Sequence, residues 1–345
     1  MFGNVMAIEC ALGTGIIISS SVPISQRVQK RIRDFIEEYE SVLSRFRADS
    51  LVSRMARAEH GGEFEFPAWA QPLFALYSEF YAATHGAFDA CIGADLLALG
   101  YSNSVHFIPQ SAVSAGKNEN SSSDSWSNYR RALPITWADI SQDSGSTTLC
   151  TNQPVQLDFG AAGKGYFVDL VTQIIKEELG EELPADFDFL VNAGGDMRAC
   201  FRKENSQIKV ALENPFDTTQ AVAVASIASG ALCASSSARK RWKVRDENCL
   251  AGNGFESNLI AAHLVNALDG VPVQKLSASW AYVPAKTCDF PTAYADALAT
   301  ALFVSSESDL QKIIQNKGAE FAVTLPNHTM RATKNFPAQF FVYNS

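Results

Sequence analysis

Apolar residues return every three to four positions in four stretches of the chain, which is the period of an amphipathic helix. The first stretch follows Ser25, a residue type suited to cap a helix, and extends to Phe46. The other three cover Ala70–Thr84, Tyr166–Leu179 and Ala293–Val304. The pattern therefore predicts four main helices.

Shorter apolar runs bounded by turn residues predict strands. These runs are Met6–Ser20, Val155–Phe159, Phe187–Val191, Gln207–Leu212, Ala221–Ala228, Trp242–Arg245, Glu320–Thr324 and Gln339–Tyr343. The last two runs are expected to form a strand pair. Helices and strands mix without strict alternation, which favours the α+β class. Because there is no internal repeat or linker, residues 1–345 are expected to form a single domain. Within it, residues 102–130 form a loose, polar, serine-rich excursion.

Composition and charge exclude some classes of protein and partner. Of the 345 residues, 47% are hydrophobic and 19% are charged, which is typical of a folded protein. The 37 acidic and 28 basic residues give a formal net charge of -9. Nucleic acid is therefore not an expected partner, because phosphate binding requires a basic surface.

The N-terminal region and the cysteines predict a cytoplasmic protein. The apolar stretch Val5–Ile18 contains Glu9 and is too short to span a membrane. No Lys or Arg precedes it, and the residues before Cys10 are not small, so neither a signal peptide nor a lipid-attachment site is expected. The seven cysteines are scattered without a C-x-x-C pair, which argues against a disulfide framework and a zinc site.

A glycine-rich turn, Gly160–Gly165, precedes one predicted helix. Free N–H groups at a helix N-terminus suit an anion, and Lys164 adds a positive charge. The turn is not a Walker A motif, because Gly165 replaces the required Ser or Thr and Asp158 replaces the first glycine. Taken alone, it is explained equally well by anion binding and by tight packing.

Asp296 and Thr300 are four residues apart and share a face of the last predicted helix. Both carry oxygen donors of the kind that Mg²⁺ prefers. The alternative is structural: an acid favoured by the helix dipole, and a hydroxyl bonded to the backbone.

Three further segments have structural explanations beside functional ones. Two glycines and an acid in Asn192–Asp196 fit a tight turn. His263 lies among apolar residues, where a buried core histidine is the alternative to a catalyst. A basic strand face would be solvated or would dock an acidic partner; it comprises Arg239, Arg241, Lys243 and Arg245.

The order of these segments resembles the ApbE family, the FAD:protein FMN transferases. The resemblance runs from about Leu12 to Val304. It rests on Leu12-Gly13-Thr14, Leu43-Ser44-Arg45-Phe46 with Asp49-Ser50, Gly86-Ala87-Phe88-Asp89, Leu157-Asp158 with Lys164-Gly165-Tyr166 and Asp169, Asn192-Ala193-Gly194-Gly195-Asp196, and Ala295–Thr300.

This resemblance implies mixed, largely antiparallel sheets with packed helices, related to the T-fold. It also implies a Mg²⁺-dependent enzyme that moves FMN from FAD onto a Ser or Thr hydroxyl of a target protein and releases AMP. The target would carry a short acceptor motif, usually in a redox protein.

The same resemblance assigns roles to individual residues. The metal would be held by Asp296, Thr300 and the backbone carbonyl of Ala161. Lys164, Asp296 and His263 would be catalytic, and the general base would be either Asp296 or His263. The residues implied to contact FAD are Leu12, Phe46, Ala87, Phe88, Asp89, Asp158, Lys164 and Leu264.

Several positions depart from the family pattern. Asn266 replaces an Asp, Ser236 replaces a Gly, and Ala90 replaces a common Pro. If the family glycine needs a positive φ, serine is strained at position 236. These departures leave two alternatives open, a flavin-binding protein without transferase activity and a Mg²⁺-dependent FAD pyrophosphatase that produces FMN and AMP.

Overall fold

The computed structural model describes residues 2–102, 126, 131–179, 187–244 and 260–341. The predicted polar excursion lies almost entirely outside these residues, as does the last residue of the predicted strand Trp242–Arg245.

The helices in the described residues are α1 (Gln26–Leu43), α2 (Leu51–Ala56), α3 (Gln71–Ala83), α4 (Gly93–Ala98), α5 (Gly163–Leu179), α6 (Pro291–Val304) and α7 (Glu307–Lys317). Short 3₁₀ turns occur at Ala68–Ala70, Ala90–Ile92 and Trp137–Asp139. Among these described helices, none is long and apolar enough to cross a membrane.

The strands are β1 (Asn4–Ala11), β2 (Thr14–Ser20), β3 (Gly62–Glu65), β4 (Thr148–Thr151), β5 (Phe189–Ala193), β6 (Asp196–Cys200), β7 (Ile208–Asn214), β8 (Asp217–Ile227), β9 (Gly230–Ser236), β10 (Arg241–Lys243), β11 (Ile260–Ala262), β12 (Val265–Asn266), β13 (Val271–Pro272), β14 (Ala278–Pro284), β15 (Glu320–Thr324), β16 (Met330–Ala332) and β17 (Ala338–Phe340).

An eight-stranded sheet organises the molecule, in the order β1-β2-β5-β6-β9-β14-β15-β16. A three-stranded sheet has the order β17-β8-β7, and three small two-stranded sheets pair β3 with β4, β10 with β11, and β12 with β13. Every strand pair in the described residues is antiparallel. The prediction of an α+β fold with largely antiparallel sheets is confirmed.

The large sheet separates two hydrophobic clusters. Strand β9 shows the division, because Ala231 and Cys233 belong to the cluster under the helices while Leu232 belongs to the second cluster. Helix α6 packs against α5, β9 and β14 on the first side. On the second side, Leu212 from the three-stranded sheet is in the same cluster as Trp280 of β14.

The helix predictions are confirmed apart from their ends. The Ser25 side chain accepts a hydrogen bond from Val28 N and caps α1 as predicted, but α1 ends at Leu43, so Phe46 lies beyond it. Helix α5 begins at Gly163 rather than Tyr166, which places Lys164 in its first turn. Helices α2, α4 and α7 were not predicted, although Ser306 and Asp309 form a capping box at the start of α7.

Three strand predictions need correction. The run Met6–Ser20 is a hairpin, because Leu12 and Gly13 adopt φ values of 54° and 71° and turn the chain. Val155–Phe159 joins no sheet in the described residues, because its backbone forms hydrogen bonds with helices and turns instead. These bonds run from Val155 N to Met55 O, from Asp158 N to Ala90 O, and from Gly93 N to Gln156 O. The two last runs do not pair with each other: β15 joins β14 and β16, and β17 joins β8.

Candidate active site

A cavity of about 450 Å³ lies where two hairpin tips meet the first turn of α5 and one side of α6. Every residue that the sequence predicted for the site lines this cavity. They are Leu12, Phe46, Ala87, Phe88, Asp89, Asp158, Ala161, Lys164, His263, Leu264, Asp296 and Thr300. Segments that are far apart in the chain are therefore brought to one place.

Lys164 lies between two buried acids at the polar centre of the cavity. Its Nζ is 2.6 Å from Asp196 Oδ2 and 3.7 Å from Asp296 Oδ2. Asp296 Oδ2 also accepts a hydrogen bond of 2.9 Å from the backbone N–H of Gly165. The N-terminal turn of α5 and the side of α6 are thereby joined through one carboxylate.

Gly165 permits this close approach of the two helices. A Cβ at position 165 would lie 2.7 Å from Asp296 Cβ and would also clash with the Thr292 carbonyl oxygen. Only glycine fits between the helices at this point without a shift of one of them. Tight packing therefore explains the glycine at position 165, and this packing brings Asp296 close to the first turn of α5.

The three charges change one another's protonation. Burial and the Asp196 carboxylate raise the pKa of Asp296 to about 7, against the opposing effect of Lys164. Burial alone would lower the pKa of Lys164, but Asp196 and Asp296 outweigh it and raise that pKa above its usual value. Lys164 is consequently a partly buried cation that keeps its proton.

Asp196 was not predicted to act in the site, although its segment was noted. The residue is 2% exposed, and its Oδ1 has no hydrogen-bond partner among the described residues. A buried carboxylate oxygen without a partner is costly unless a ligand satisfies it. The signal in the sequence was an acid directly after two glycines at the end of a strand.

The donors near Asp296 suit a hard cation. Thr300 Oγ1 lies 3.1 Å from Ser235 Oγ, and Ala161 lies in the turn before α5. With Asp296 they form a set of oxygen donors, which is the chemistry that Mg²⁺ prefers. The described residues contain no group of three or more His, Cys, Asp or Glu side chains placed to hold a metal. The set thus relies on one carboxylate, a hydroxyl and a carbonyl, with the unsatisfied oxygen of Asp196 close to Lys164.

Asp158 and Arg45 form an ion pair on the cavity wall. Asp158 Oδ1 accepts 2.7 Å from Gly160 N, so the protein engages both carboxylate oxygens. The Arg45 guanidinium lies 4.2 Å from the centre of the Phe46 ring and 5.0 Å from that of Tyr101. Asp158 therefore orders the glycine-rich turn. Tyr101 lines the cavity although the sequence did not predict it for the site, and Arg45, noted only within a motif, holds Asp158.

The predicted Ala87–Asp89 segment is held by internal hydrogen bonds. Phe88 N donates 3.0 Å to Thr84 Oγ1, and the Asp89 carboxylate accepts from Cys91 N at 2.7 Å and from Trp137 N. Burial raises the pKa of Asp89. Its carboxylate caps the following 3₁₀ turn.

His263 and Leu264 lie beside each other on the opposite wall. The buried Nδ1 of His263 has no hydrogen-bond partner in the described residues. Burial, with Lys240 and Lys164 nearby, lowers the pKa of His263 to about 3, so its ring is neutral at ordinary pH. The Leu264 backbone carbonyl accepts from Val273 N at 2.9 Å.

Two departures from the family pattern have local explanations. Ser236 lies in β9 without a positive φ, and its Oγ donates 3.1 Å to the Ser277 carbonyl. The expected strain of a serine at this position is therefore absent. Asn266 Oδ1 accepts 3.0 Å from Leu268 N and stabilises a turn.

The hairpin tip at Leu12 is strained and supported. Leu12 adopts a left-handed φ of 54°, which is unusual for a branched side chain. Its backbone N–H donates 2.8 Å to Glu40 Oε1 of α1. Glu40 thus holds the tip against the cavity, and the sequence offered no signal for it.

The predicted basic strand face is divided. Arg239 pairs with Glu213, and Arg241 Nε donates 2.8 Å to the Ser237 carbonyl, while Lys243 is exposed at the end of β10. Arg245 lies outside the described residues. The three described residues therefore do not form one solvated face.

Comparison with known proteins supplies the class. The sequence model of the ApbE family matches residues 6–324. The chain therefore belongs to the ApbE family. Membership makes it an enzyme of the transferase class. Among curated proteins, none matches the sequence significantly.

Solved structures share the fold. An ApbE protein from Thermotoga maritima superposes with a TM-score of 0.70 at 20% identity, covering 96% of this chain and 98% of that one. The apo flavinyl transferase ApbE from Pseudomonas stutzeri has a TM-score of 0.65 at 22% identity and covers 97% of both chains. The flavin transferase ApbE from Vibrio cholerae has a TM-score of 0.66 at 18% identity, covering 96% of this chain and 98% of that one.

Proposed function

We propose that this chain is a Mg²⁺-dependent FAD:protein FMN transferase, which moves FMN from FAD onto a Ser or Thr hydroxyl of an acceptor protein and releases AMP. The observation that carries the proposal is the Lys164 cluster. A partly buried cation, two buried carboxylates and the first turn of a helix meet in a cavity with the residues that the family uses. We further propose that residues 1–345 act as one domain, since both hydrophobic clusters share the large sheet.

Asp296, Thr300 and the Ala161 carbonyl would hold the metal, and the oxygen donors present fit a hard cation. When bound, Mg²⁺ neutralises negative charge on the pyrophosphate of FAD. Lys164 contributes a second positive charge, which Asp196 holds in place. Phosphoryl transfer depends mainly on position and charge stabilisation, and these residues supply both.

Proton acceptance is assigned to His263. Its ring is neutral, lines the cavity and has a buried nitrogen without a partner in the described residues. Asp296 is less suited, because Gly165 and Lys164 already engage its carboxylate and the metal would engage it further. Transfer from a phosphoryl donor requires only a modest base, because little proton transfer is needed before bond formation.

The flavin-binding alternative rested on Asn266 and Ser236. Both side chains make hydrogen bonds to neighbouring backbone, and Ser236 does so on the cavity wall without a positive φ, which favours the transferase over this alternative. The pyrophosphatase alternative differs only in the attacking group, since water would replace the acceptor hydroxyl.

One experiment tests the proposal. Purified protein, FAD, Mg²⁺ and an acceptor protein with the family's Ser/Thr motif are combined, with EDTA in a parallel sample. AMP release and flavin fluorescence on the denatured acceptor are measured together. Label that appears only with metal supports the transferase. AMP without label supports the pyrophosphatase, and the absence of both refutes an enzyme of this kind.

Asp296→Asn separates the metal site from the fold. The variant should lose Mg²⁺-dependent AMP release while its thermal unfolding midpoint remains measurable. Asp289→Asn, a change of the same kind at an exposed acid just before α6, is the control and should retain activity. Equal activity in the two variants would remove Asp296 from the site.

A further inference from the structure

Strand β7 is both the edge of a sheet and a wall of the cavity. In the described residues it pairs with β8 on one side only. Val210, Ala211, Leu212 and Glu213 of this strand line the cavity that contains Lys164. An edge strand in this position offers main-chain donors and acceptors to whatever enters the site.

The register shows which backbone groups are free. Ser226 N donates 2.7 Å to Pro337 O, so the backbone groups of Ser226 face β17. The backbone N–H and C=O groups of successive residues in a strand point to opposite edges of that strand. Those of Ala225 therefore point toward β7, where Ala225 is paired with Val210. The next residue, Ala211, then directs its N–H and C=O away from the sheet. No described residue provides a backbone partner for them.

Side chains along this edge leave room, and positive charge remains after Glu213 of the strand pairs with Arg239. Ala211 is small and exposed, and Lys209 is exposed two positions before it. Lys240 lines the same cavity, and neither lysine is paired with a carboxylate in the described residues. The edge therefore suits an extended segment that carries an acidic residue.

We propose that the acceptor protein docks by adding its modified segment as a strand to the free edge of β7, which delivers the Ser or Thr hydroxyl to the cavity. The inference rests on the proposed function. Main-chain pairing supplies affinity without demanding a fixed sequence, and the register sets which side chain points into the cavity. Ala211 is the central position of this edge.

A peptide series tests the pairing on the unaltered protein. The probe is a fluorescently labelled peptide of about eight residues, a usual strand length, with the family's acceptor motif and a central Thr. Anisotropy is measured with FAD and EDTA, so that binding occurs without transfer. N-methylation at alternate peptide positions should weaken binding at least tenfold, and methylation at the intervening positions should not. An effect without alternation, or no binding of the unmethylated peptide, would overturn the proposal.

A matched pair of variants tests the edge itself. Ala211→Pro removes an outward N–H without breaking the β7–β8 ladder, and it should weaken peptide binding at least tenfold. Ala332→Pro is the control in β16, away from the cavity. Thr333 N donates to Phe321 O of β15, so the preceding residue faces the free edge of the large sheet. The control should bind within twofold of the unaltered protein, and equal weakening in both variants would contradict the proposal.

A failure of the docking proposal can be distinguished from a failure of the proposed transferase function. AMP release from FAD and labelling of the whole acceptor test the transferase, whereas peptide anisotropy tests docking. A dimer that Ala211→Pro converts to monomer, without peptide binding to either form, would identify a second copy as the occupant and would refute the acceptor. If Ala211→Pro does not fold, the N-methylated peptides still test the docking proposal on the unaltered protein.

Discussion

Single residues in this site are each constrained by several neighbours. Lys164 keeps its charge in a partly buried setting because Asp196 and Asp296 flank it. Asp296 in turn depends on the Gly165 N–H and on the absence of a side chain at that position. The chemistry and the packing of the site therefore share the same atoms.

Removing the Lys164 charge should impair FAD binding. Lys164→Met is expected to raise the Kd for FAD in the presence of Mg²⁺ by about 10- to 100-fold, the usual effect of losing a hydrogen bond to a charged group. The measurement is flavin fluorescence titration. Lys176→Met, on the exposed face of the same helix, is the control. A Kd equal to that of the unaltered protein would contradict the phosphate role of Lys164.

Two glycines of α5 should respond in opposite ways to the same change. Gly165→Ala forces α5 and α6 apart and should lower the free energy of unfolding by about 1–3 kcal/mol. Gly163→Ala would meet only ordinary contacts of 3.5 Å and 3.6 Å, to Tyr39 Oη and Phe159 Cβ. It should be neutral or stabilising by up to about 1 kcal/mol, because alanine favours the helix. The free energy of unfolding of both variants is measured in urea, and equal losses of stability would refute the packing argument.

At the scale of elements, the position of α6 depends on a buried carboxylate in α5. Asp169 accepts hydrogen bonds from Thr292 N at 2.8 Å, Thr292 Oγ1 at 2.6 Å and Ala293 N at 2.9 Å. Buried Arg198 lies near enough to lower the pKa of Asp169, although burial dominates and raises it to about 6. Asp169 thus fixes the start of the helix that carries Asp296.

Asp169→Ala should lower the free energy of unfolding by about 2–4 kcal/mol, because it leaves buried donors without an acceptor. Asp34→Ala, which removes an exposed partner of Lys30, should change the free energy of unfolding by about 0.5 kcal/mol or less. Denaturant midpoints and slopes provide the comparison. A similar loss in both variants would show that the contact between α5 and α6 does not depend on Asp169.

The sequence predicted elements well where periodicity and a cap coincided. Ser25 and the apolar positions of α1 were sufficient, because local hydrogen bonds define a helix start. The run Val155–Phe159 has the composition of a strand, yet tertiary contacts with Met55 and Ala90 take its hydrogen bonds. Strand composition does not reveal which backbone will supply the partner.

Site residues, too, could be predicted only where the signal is local in the sequence. Lys164, Asp296 and Thr300 were visible because motif order survives in the sequence. Glu40 could not be found, and the pairing of Arg45 with Asp158 could not be predicted, since each acts on a residue that becomes its neighbour only in the folded chain. Asp196 was visible as an acid after two glycines, but its pairing with Lys164 required the fold.

At the scale of the whole molecule, His263 should contribute to the dependence of stability on pH. Its pKa of about 3 in the folded protein lies below the ordinary value of 6.5. The unfolded imidazole therefore binds more protons between these values, and the contribution of His263 to the free energy of unfolding should fall as the pH is lowered from 6.5 towards 3. Asp296 and Asp169, whose pKa values are raised to about 7 and about 6, contribute in the opposite direction. One such group contributes up to about 1.4 kcal/mol per pH unit.

His263→Gln should remove this contribution, so that the difference in free energy of unfolding between the variant and the unaltered protein shifts in favour of the variant as the pH is lowered. The free energy of unfolding is measured by urea at several pH values between 7 and 4 for the unaltered protein and the variant. His60→Gln is the control, because His60 is exposed. An unchanged slope in His263→Gln would show that the imidazole carries a proton in the folded state.

Helix α6 has a further consequence for how ligands bind. Eleven of its 14 residues are buried, including Asp296, and most of them are alanine or other small residues. A helix enclosed on nearly every side has almost no freedom to move when a cation arrives. The conformational entropy of placing the oxygen ligands is thus lost when the chain folds rather than when the ligand binds. Calorimetry should accordingly find little ordering entropy when Mg²⁺ associates with the proposed site.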